Sequence, residues 1–132
     1  MENKCFRICQ RNSNCTSNVG DYSNSCLWNC FGDKANIRVV DSYYKENAFY
    51  ITTYLLSNKM KEILKNPNVA LNHNLFVAHG IGENIGNPLD EPNRGLREEL
   101  KSVFVAFYDK HVDEQDENTC ILKISLNDAI VI

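Results

Sequence analysis

The stretch that decides the fold is Ala35-Asn-Ile-Arg-Val-Val-Asp-Ser-Tyr-Tyr44, then Lys45-Glu-Asn47, then Ala48-Phe-Tyr-Ile-Thr-Thr-Tyr54, followed by Ser57-Asn-Lys-Met-Lys-Glu-Ile-Leu-Lys65 and Asn66-Pro67. The first and third segments are rich in β-branched and aromatic residues, and turn-favouring residues separate them, which predicts a β-hairpin. Ser57 is placed to cap a helix on which Met60, Ile63 and Leu64 share one face. Asn66-Pro67 ends that helix, because the residue before a proline is driven out of the helical region. A hairpin feeding a short amphipathic helix points to an antiparallel β domain with helical additions.

Working outward, Cys26-Leu-Trp-Asn-Cys-Phe31 supplies another strand-like run ahead of Gly32-Asp33. Residues 11–25 are mostly side chains that hydrogen-bond their own backbone and favour turns. Cys5, Phe6, Ile8 and Cys9 give residues 3–10 a weak helical pattern. On the other side, residues 68–78 read as one strand running into His79-Gly-Ile-Gly-Glu-Asn-Ile-Gly86, taken as a connection whose glycines adopt unusual dihedrals or admit a ligand close to the backbone. Its third glycine comes too late for a dinucleotide fingerprint, and Pro88 and Pro92 stand where a helix would have to begin. Leu96, Leu100, Val103, Phe104, Phe107 and Tyr108 recur at helical spacing, which predicts one long helix between Pro92 and Lys110. Residues 119–126 and 129–132 read as strands joined by an Asn127-Asp128 turn.

The 132 residues suit one domain, and 14 Lys plus Arg against 17 Asp plus Glu give a charge of −3, which excludes a basic nucleic-acid footprint. The apolar runs are too short for a membrane span, and Met1-Glu-Asn-Lys4 leads into no apolar signal segment, so a cytoplasmic protein is expected. Its six cysteines are then expected to be thiols; no C-x-x-C occurs, no metal site follows from their spacing, and Cys120 reads as a small core residue. His73, His79 and His111 form no catalytic or metal motif, and His111 with Asp113, Asp116 and Glu117 reads as the start of a solvated acidic loop. One pairing does point to chemistry. Arg38 lies on a strand, and Lys59 lies in the first turn of the helix opened by Ser57. A helix start offers free N–H groups to an anion, and a nearby arginine can grip phosphate with two bonds.

With these elements in order, Gly32-Asp-Lys-Ala-Asn-Ile-Arg-Val-Val40, Asn47-Ala-Phe-Tyr-Ile-Thr-Thr-Tyr54 and Ser57-Asn-Lys-Met-Lys-Glu-Ile-Leu-Lys-Asn-Pro-Asn-Val-Ala-Leu71 resemble the pyridoxamine 5'-phosphate oxidase-like family of flavin-binding proteins. Ala78-His-Gly-Ile-Gly-Glu-Asn-Ile-Gly86 and Asp116-Glu-Asn-Thr-Cys-Ile-Leu122 are similar to a small bacterial subgroup of it. The likeness covers residues 26–132, leaving 1–25 as a poorly matching N-terminal segment. It implies a six-stranded antiparallel Greek-key split β-barrel and a homodimer with FMN, or FAD in its place, bound at the interface. By position, Arg38 with the backbone of Val39 and Val40 would meet the phosphate end and ring edge. Thr52 and Thr53 would line the ribityl chain and ring, and Ser57 and Lys59 would hold phosphate. An FMN-dependent oxidoreductase acting on a small-molecule substrate is implied, or else a flavin-binding or cofactor-free barrel dimer. No side chain is assigned a catalytic role, because the flavin carries the chemistry. Asn58 replaces the basic residue the family commonly has before the lysine. Ser42, Tyr43 and Tyr44 stand where true pyridoxamine-phosphate oxidases place a basic residue, so a different substrate is expected.

Overall fold

The computed structural model describes residues 22–31, 34–73, 76–105 and 107–131. Six strands, β1 (Tyr22–Phe31), β2 (Lys34–Lys45), β3 (Ala48–Tyr54), β4 (Asn68–His73), β5 (Phe76–Asn84) and β6 (Thr119–Val131), form an antiparallel barrel in the order β1-β2-β3-β6-β5-β4, closed by β4 on β1. This is a split-barrel architecture, with Greek-key order produced by the crossing from β3 to β4. Closure leaves neither terminal strand with an unpaired side along its whole length.

Period-two alternation fills the barrel. Leu27, Val40, Tyr44, Phe49, Ile51, Val69, Leu71, Phe76, Ala78, Leu122 and Ile124 point inward and make one buried cluster. Cys120 belongs to that core, as its strand context suggested. The β2–β3 turn is Glu46-Asn47, both at positive φ (50° and 67°), the conformation a two-residue hairpin needs to match strand twist.

Helix α1 (Asn58–Lys65) stops one end of the barrel with Met60 and Ile63, both fully buried. Its start is capped as expected: the Met60 N–H donates to Ser57 Oγ at 3.3 Å. A 3-10 turn (Glu91–Asn93) leads into α2 (Arg94–Val103), and α3 (Tyr108–His111) follows. Leu100, Phe104 and Tyr108 cover the outer surface of the sheet over Tyr43 and Ile121, forming a second core.

Four local expectations change. Strand β1 begins at Tyr22, inside the segment read as turns. The long helix is broken at Phe104 (φ −104°, ψ 47°), where a β-branched and aromatic run with poor helix propensity meets the demand that Phe104 and Tyr108 both reach the second core. The run 68–78 is two strands, β4 and β5, and the glycine segment is mostly β5 itself. There Gly80 and Gly82 serve close packing: a Cβ at Gly80 would stand 2.6 Å from the Ser125 carbonyl oxygen, and one at Gly82 would stand 2.8 Å from Ile63 Cγ2 of α1. Finally, β6 runs unbroken through the expected Asn127-Asp128 turn; His79 faces Asp128 while Gly80 faces Leu126, so Asn127 is the extra residue of a bulge. The weak helical pattern of residues 3–10 and the cysteines Cys5, Cys9 and Cys15 lie outside the described residues. Among the described residues no helix is long and apolar enough to cross a membrane.

Candidate functional site

The barrel is split between β2 and β3. Their pairing ends after three residue pairs, Lys45 with Ala48, Tyr44 with Phe49 and Tyr43 with Tyr50. Beyond it, β2 from Lys34 to Ser42 pairs with β1 alone, while β3 from Ile51 to Tyr54 pairs with β6. The β2 backbone at Arg38, Val39 and Val40 therefore presents peptide groups along an edge with no strand beside it among the described residues.

Alternation sends Asn36 and Arg38 to the same side as the buried Val40 and Ser42, toward the end stopped by α1. There the Arg38 Nη2 donates to Glu62 Oε2 of α1 at 2.6 Å, and Asn36 Nδ2 donates to Glu62 Oε1 at 2.9 Å. Arg38 and Glu62 side chains are only 19% and 18% exposed. The other guanidinium nitrogen, Arg38 Nη1, is buried with no hydrogen-bond partner among the described residues. Such a donor normally finds an acceptor, because an unsatisfied buried polar group carries its full desolvation cost.

Lys59, one turn before Glu62 on α1, is half-buried and makes no salt bridge with any described residue. Burial, and then the positive charge of Arg38, hold its amine below the ordinary lysine range, with Cys120 acting in the opposite sense. Burial pushes the Cys120 thiol up, against the pull of Lys59. Arg38, Lys59, Glu62 and Cys120 thus share one locality: two cations, one carboxylate and a neutral thiol.

The structure brings together some of the residues expected from the sequence and separates others. Arg38 on β2 lies within electrostatic reach of Lys59 on α1, whose amine its charge helps hold down. Thr53 pairs with Cys120 on β6 and lies on the inward face with Ile51, whereas Thr52 lies on the opposite face with Tyr50. Ser57 Oγ already accepts the Met60 N–H, although its hydroxyl proton stays available. The Val40 side chain is buried in the core, and Val39 is 71% exposed on the outer face. Sequence reasoning missed Glu62 and Asn36. Their only signal was position: Glu62 one turn after Lys59, and Asn36 two residues before Arg38 on the same strand face.

An anionic group fits this locality, since among the described residues the buried Nη1 has no acceptor and Lys59 no counter-ion. A separate cavity of about 640 Å³ opens on the β1, β4 and β5 side, lined by Trp28, Ala70, Leu71, Val77 and His79. Its lining, among the described residues, has no lysine or arginine. Among the described residues no group of three or more His, Cys, Asp or Glu side chains is arranged to hold a metal ion.

No family model matches the sequence. No curated protein matches it either. Solved structures do match the fold. A candidate pyridoxamine 5'-phosphate oxidase from Listeria innocua is 14% identical, with a TM-score of 0.64 over 98% of this chain and 95% of its own. A FAD-binding protein from Mesorhizobium loti is 14% identical, with a TM-score of 0.68 over 96% and 89%. The heme storage protein HutZ from Vibrio cholerae is 7% identical, with a TM-score of 0.69 over 99% and 95%. The chain therefore has the fold of the pyridoxamine 5'-phosphate oxidase-like split barrels.

Proposed function

We propose that this chain binds a flavin nucleotide, FMN first and FAD as the alternative, and serves as a flavin-dependent oxidoreductase on a small-molecule substrate. The observation that carries the reading is the buried Arg38 Nη1, without a partner among the described residues and within electrostatic reach of Lys59, at the split between β2 and β3. Arg38 and Lys59 would hold the phosphate, with the Ser57 hydroxyl proton directed to it. The open β2 edge at Val39 and Val40 would meet the ring edge through peptide groups, and Thr53, with Thr52 from the other face, would line the ribityl chain and ring. When bound, the flavin supplies hydride or single-electron transfer. The chain's part is to orient that group and keep its phosphate neutralised.

A homodimer belongs to the same proposal, supported by the outer face of the barrel. Phe49 and Ile51 are inside the barrel core and cannot form an interface, although Leu56 is exposed. The outer face of β1 and β2 instead carries Trp28 opposite Ile37 and Cys26 opposite Val39. Trp28, Ile37 and Val39 are 40%, 50% and 71% exposed, an apolar surface suited to a second copy. Obligate interfaces commonly bury more than about 2,000 Å² in total. Sedimentation at micromolar protein should show a dimer; a monomer carrying bound flavin would contradict this.

A cofactor-free barrel dimer is the second reading, favoured by the Arg38–Glu62 ion pair, which neutralises Arg38 without any ligand. The visible spectrum of the purified protein after incubation with FMN separates the two. A bound, perturbed flavin spectrum supports the first reading, and its loss of colour with NADH or NADPH adds reductase activity. No binding of FMN or FAD leaves the second.

A further inference from the structure

A site that receives a phosphate gains from cations and loses from carboxylates, yet Glu62 stands within it. Its contact with Arg38 is 2.6 Å, its second oxygen is fixed by Asn36 at 2.9 Å, and both ion-pair partners are mostly buried. A carboxylate held by both oxygens from two positions on β2 is a built feature of the cleft, unlike a mobile surface contact. Resting on the flavin reading above, we propose that Glu62 determines the charge specificity of this cleft: it cancels one of the two cations and lowers the preference for a phosphate monoester over the same flavin without phosphate.

Arg38 and Lys59 carry two positive charges and Glu62 one negative, so the cleft offers one net positive charge. A flavin phosphate monoester is a near-dianion at neutral pH. Gripping the free Nη1 of Arg38 would bring that dianion close to the carboxylate on Nη2, because both nitrogens belong to one planar fork. Like charges at such range in a site shielded from water disfavour one another strongly. Glu62 acts on the pair through Arg38, the cation it touches, and Lys59 one helical turn before it forms no ion pair with it. Removing the charge while keeping the side-chain shape should leave both cations to the phosphate.

The test titrates FMN and riboflavin, separately, into wild-type protein, Glu62→Gln and Glu62→Asp, following flavin fluorescence. Glu62→Gln should tighten FMN about tenfold while riboflavin changes little, since a tenfold change is the scale of one such charge contact. Glu62→Asp keeps the charge but shortens the side chain, and should not tighten FMN. The inference is overturned if Glu62→Gln leaves the FMN-to-riboflavin ratio unchanged, if both ligands shift together, or if Glu62→Asp tightens FMN equally. Flavin binding with an unmoved ratio would fail this inference alone. Failure of all three proteins to bind either flavin would fail the flavin reading together with it. A thermal melt of each variant accompanies the titrations, so that a Glu62→Gln protein too unstable to assay is replaced by Glu62→Met, for which the same outcomes apply.

Discussion

Two arginine–glutamate pairs of similar burial sit in this molecule, and they are finished differently. Arg97 reaches Glu114 with Nε on one oxygen at 2.6 Å and Nη2 on the other at 2.9 Å, and the Tyr108 hydroxyl adds a third bond at 2.7 Å. With Arg97 Nη1 on Glu98 at 3.1 Å, every guanidinium nitrogen of Arg97 has a partner, and the bidentate pair fastens α2 to the loop after α3. Arg38 gives Glu62 a single nitrogen and leaves Nη1 buried with no partner among the described residues, within electrostatic reach of a second cation. Arg97 and Glu114 are 24% and 14% exposed, so burial does not distinguish the pairs from Arg38 and Glu62. Saturation does: the first pair is complete as a fastening, and the second has bonding capacity left for a ligand.

Breaking the saturated pair should cost the most stability. Arg97→Ala leaves the Glu114 carboxylate with the Tyr108 hydroxyl alone and should lower the unfolding free energy by about 2–3 kcal/mol, between the values for exposed and for buried pairs because this one is partly exposed. Urea denaturation of the two proteins measures it; a loss no larger than that from a surface arginine would erase the contrast.

The same pair should have a pH signature. Hydrogen bonds from Arg97 hold the Glu114 carboxyl below its ordinary value, outweighing the opposing effect of burial, and the Tyr108 hydroxyl assists. A carboxyl depressed in the folded state stabilises the fold above the unfolded-state value of 4.5, and that contribution is lost as pH falls through the lower folded value. Melting curves from pH 7 downward should therefore show wild type losing its advantage over Glu114→Gln below about pH 4.5. An advantage unchanged at low pH would contradict the assignment.

Arg38→Ala should cost less stability than Arg97→Ala, about 1 kcal/mol. It removes an unsatisfied buried donor and a like-charge neighbour of Lys59 as well as an ion pair, and Lys59 can then turn to Glu62 one turn away. If denaturation instead ranked Arg38→Ala as the more damaging change, the open pair would be the structural one and the comparison would reverse.

Much of this was legible in the sequence, and the remainder has physical reasons. The β2–β3 hairpin and α1 could be read because local rules fix them: β-branched runs around a short turn, a serine cap, two apolar residues one turn apart, and a proline stop. The expectation that Arg38 and Lys59 share a site came from the family likeness and from the chemistry of helix starts. Glu62 was not visible, because its role depends on which face of α1 lies against β2, a long-range register that helical periodicity does not contain. The break at Phe104 was hidden for a related reason: apolar residues at helical spacing look continuous even when the second core requires the chain to turn between them. Gly80 and Gly82 were misread because a glycine needed for close packing against β6 and α1 is identical in sequence to one needed for a turn.

The central claim is that the unfinished Arg38 pair is kept for a flavin phosphate, and a four-way titration tests it most directly: FMN and riboflavin, each into wild type and Arg38→Ala. Each charge-assisted bond to the phosphate contributes on the order of 1.5–3 kcal/mol. Arg38→Ala also leaves the Glu62 carboxylate facing the phosphate, so FMN binding should weaken by about ten- to a hundredfold. Riboflavin lacks the phosphate and should bind both proteins almost alike, so the coupling between the two changes isolates the contact from damage to the fold. Equal weakening of FMN and riboflavin, or no weakening of either, would contradict the assignment of Arg38 to the phosphate.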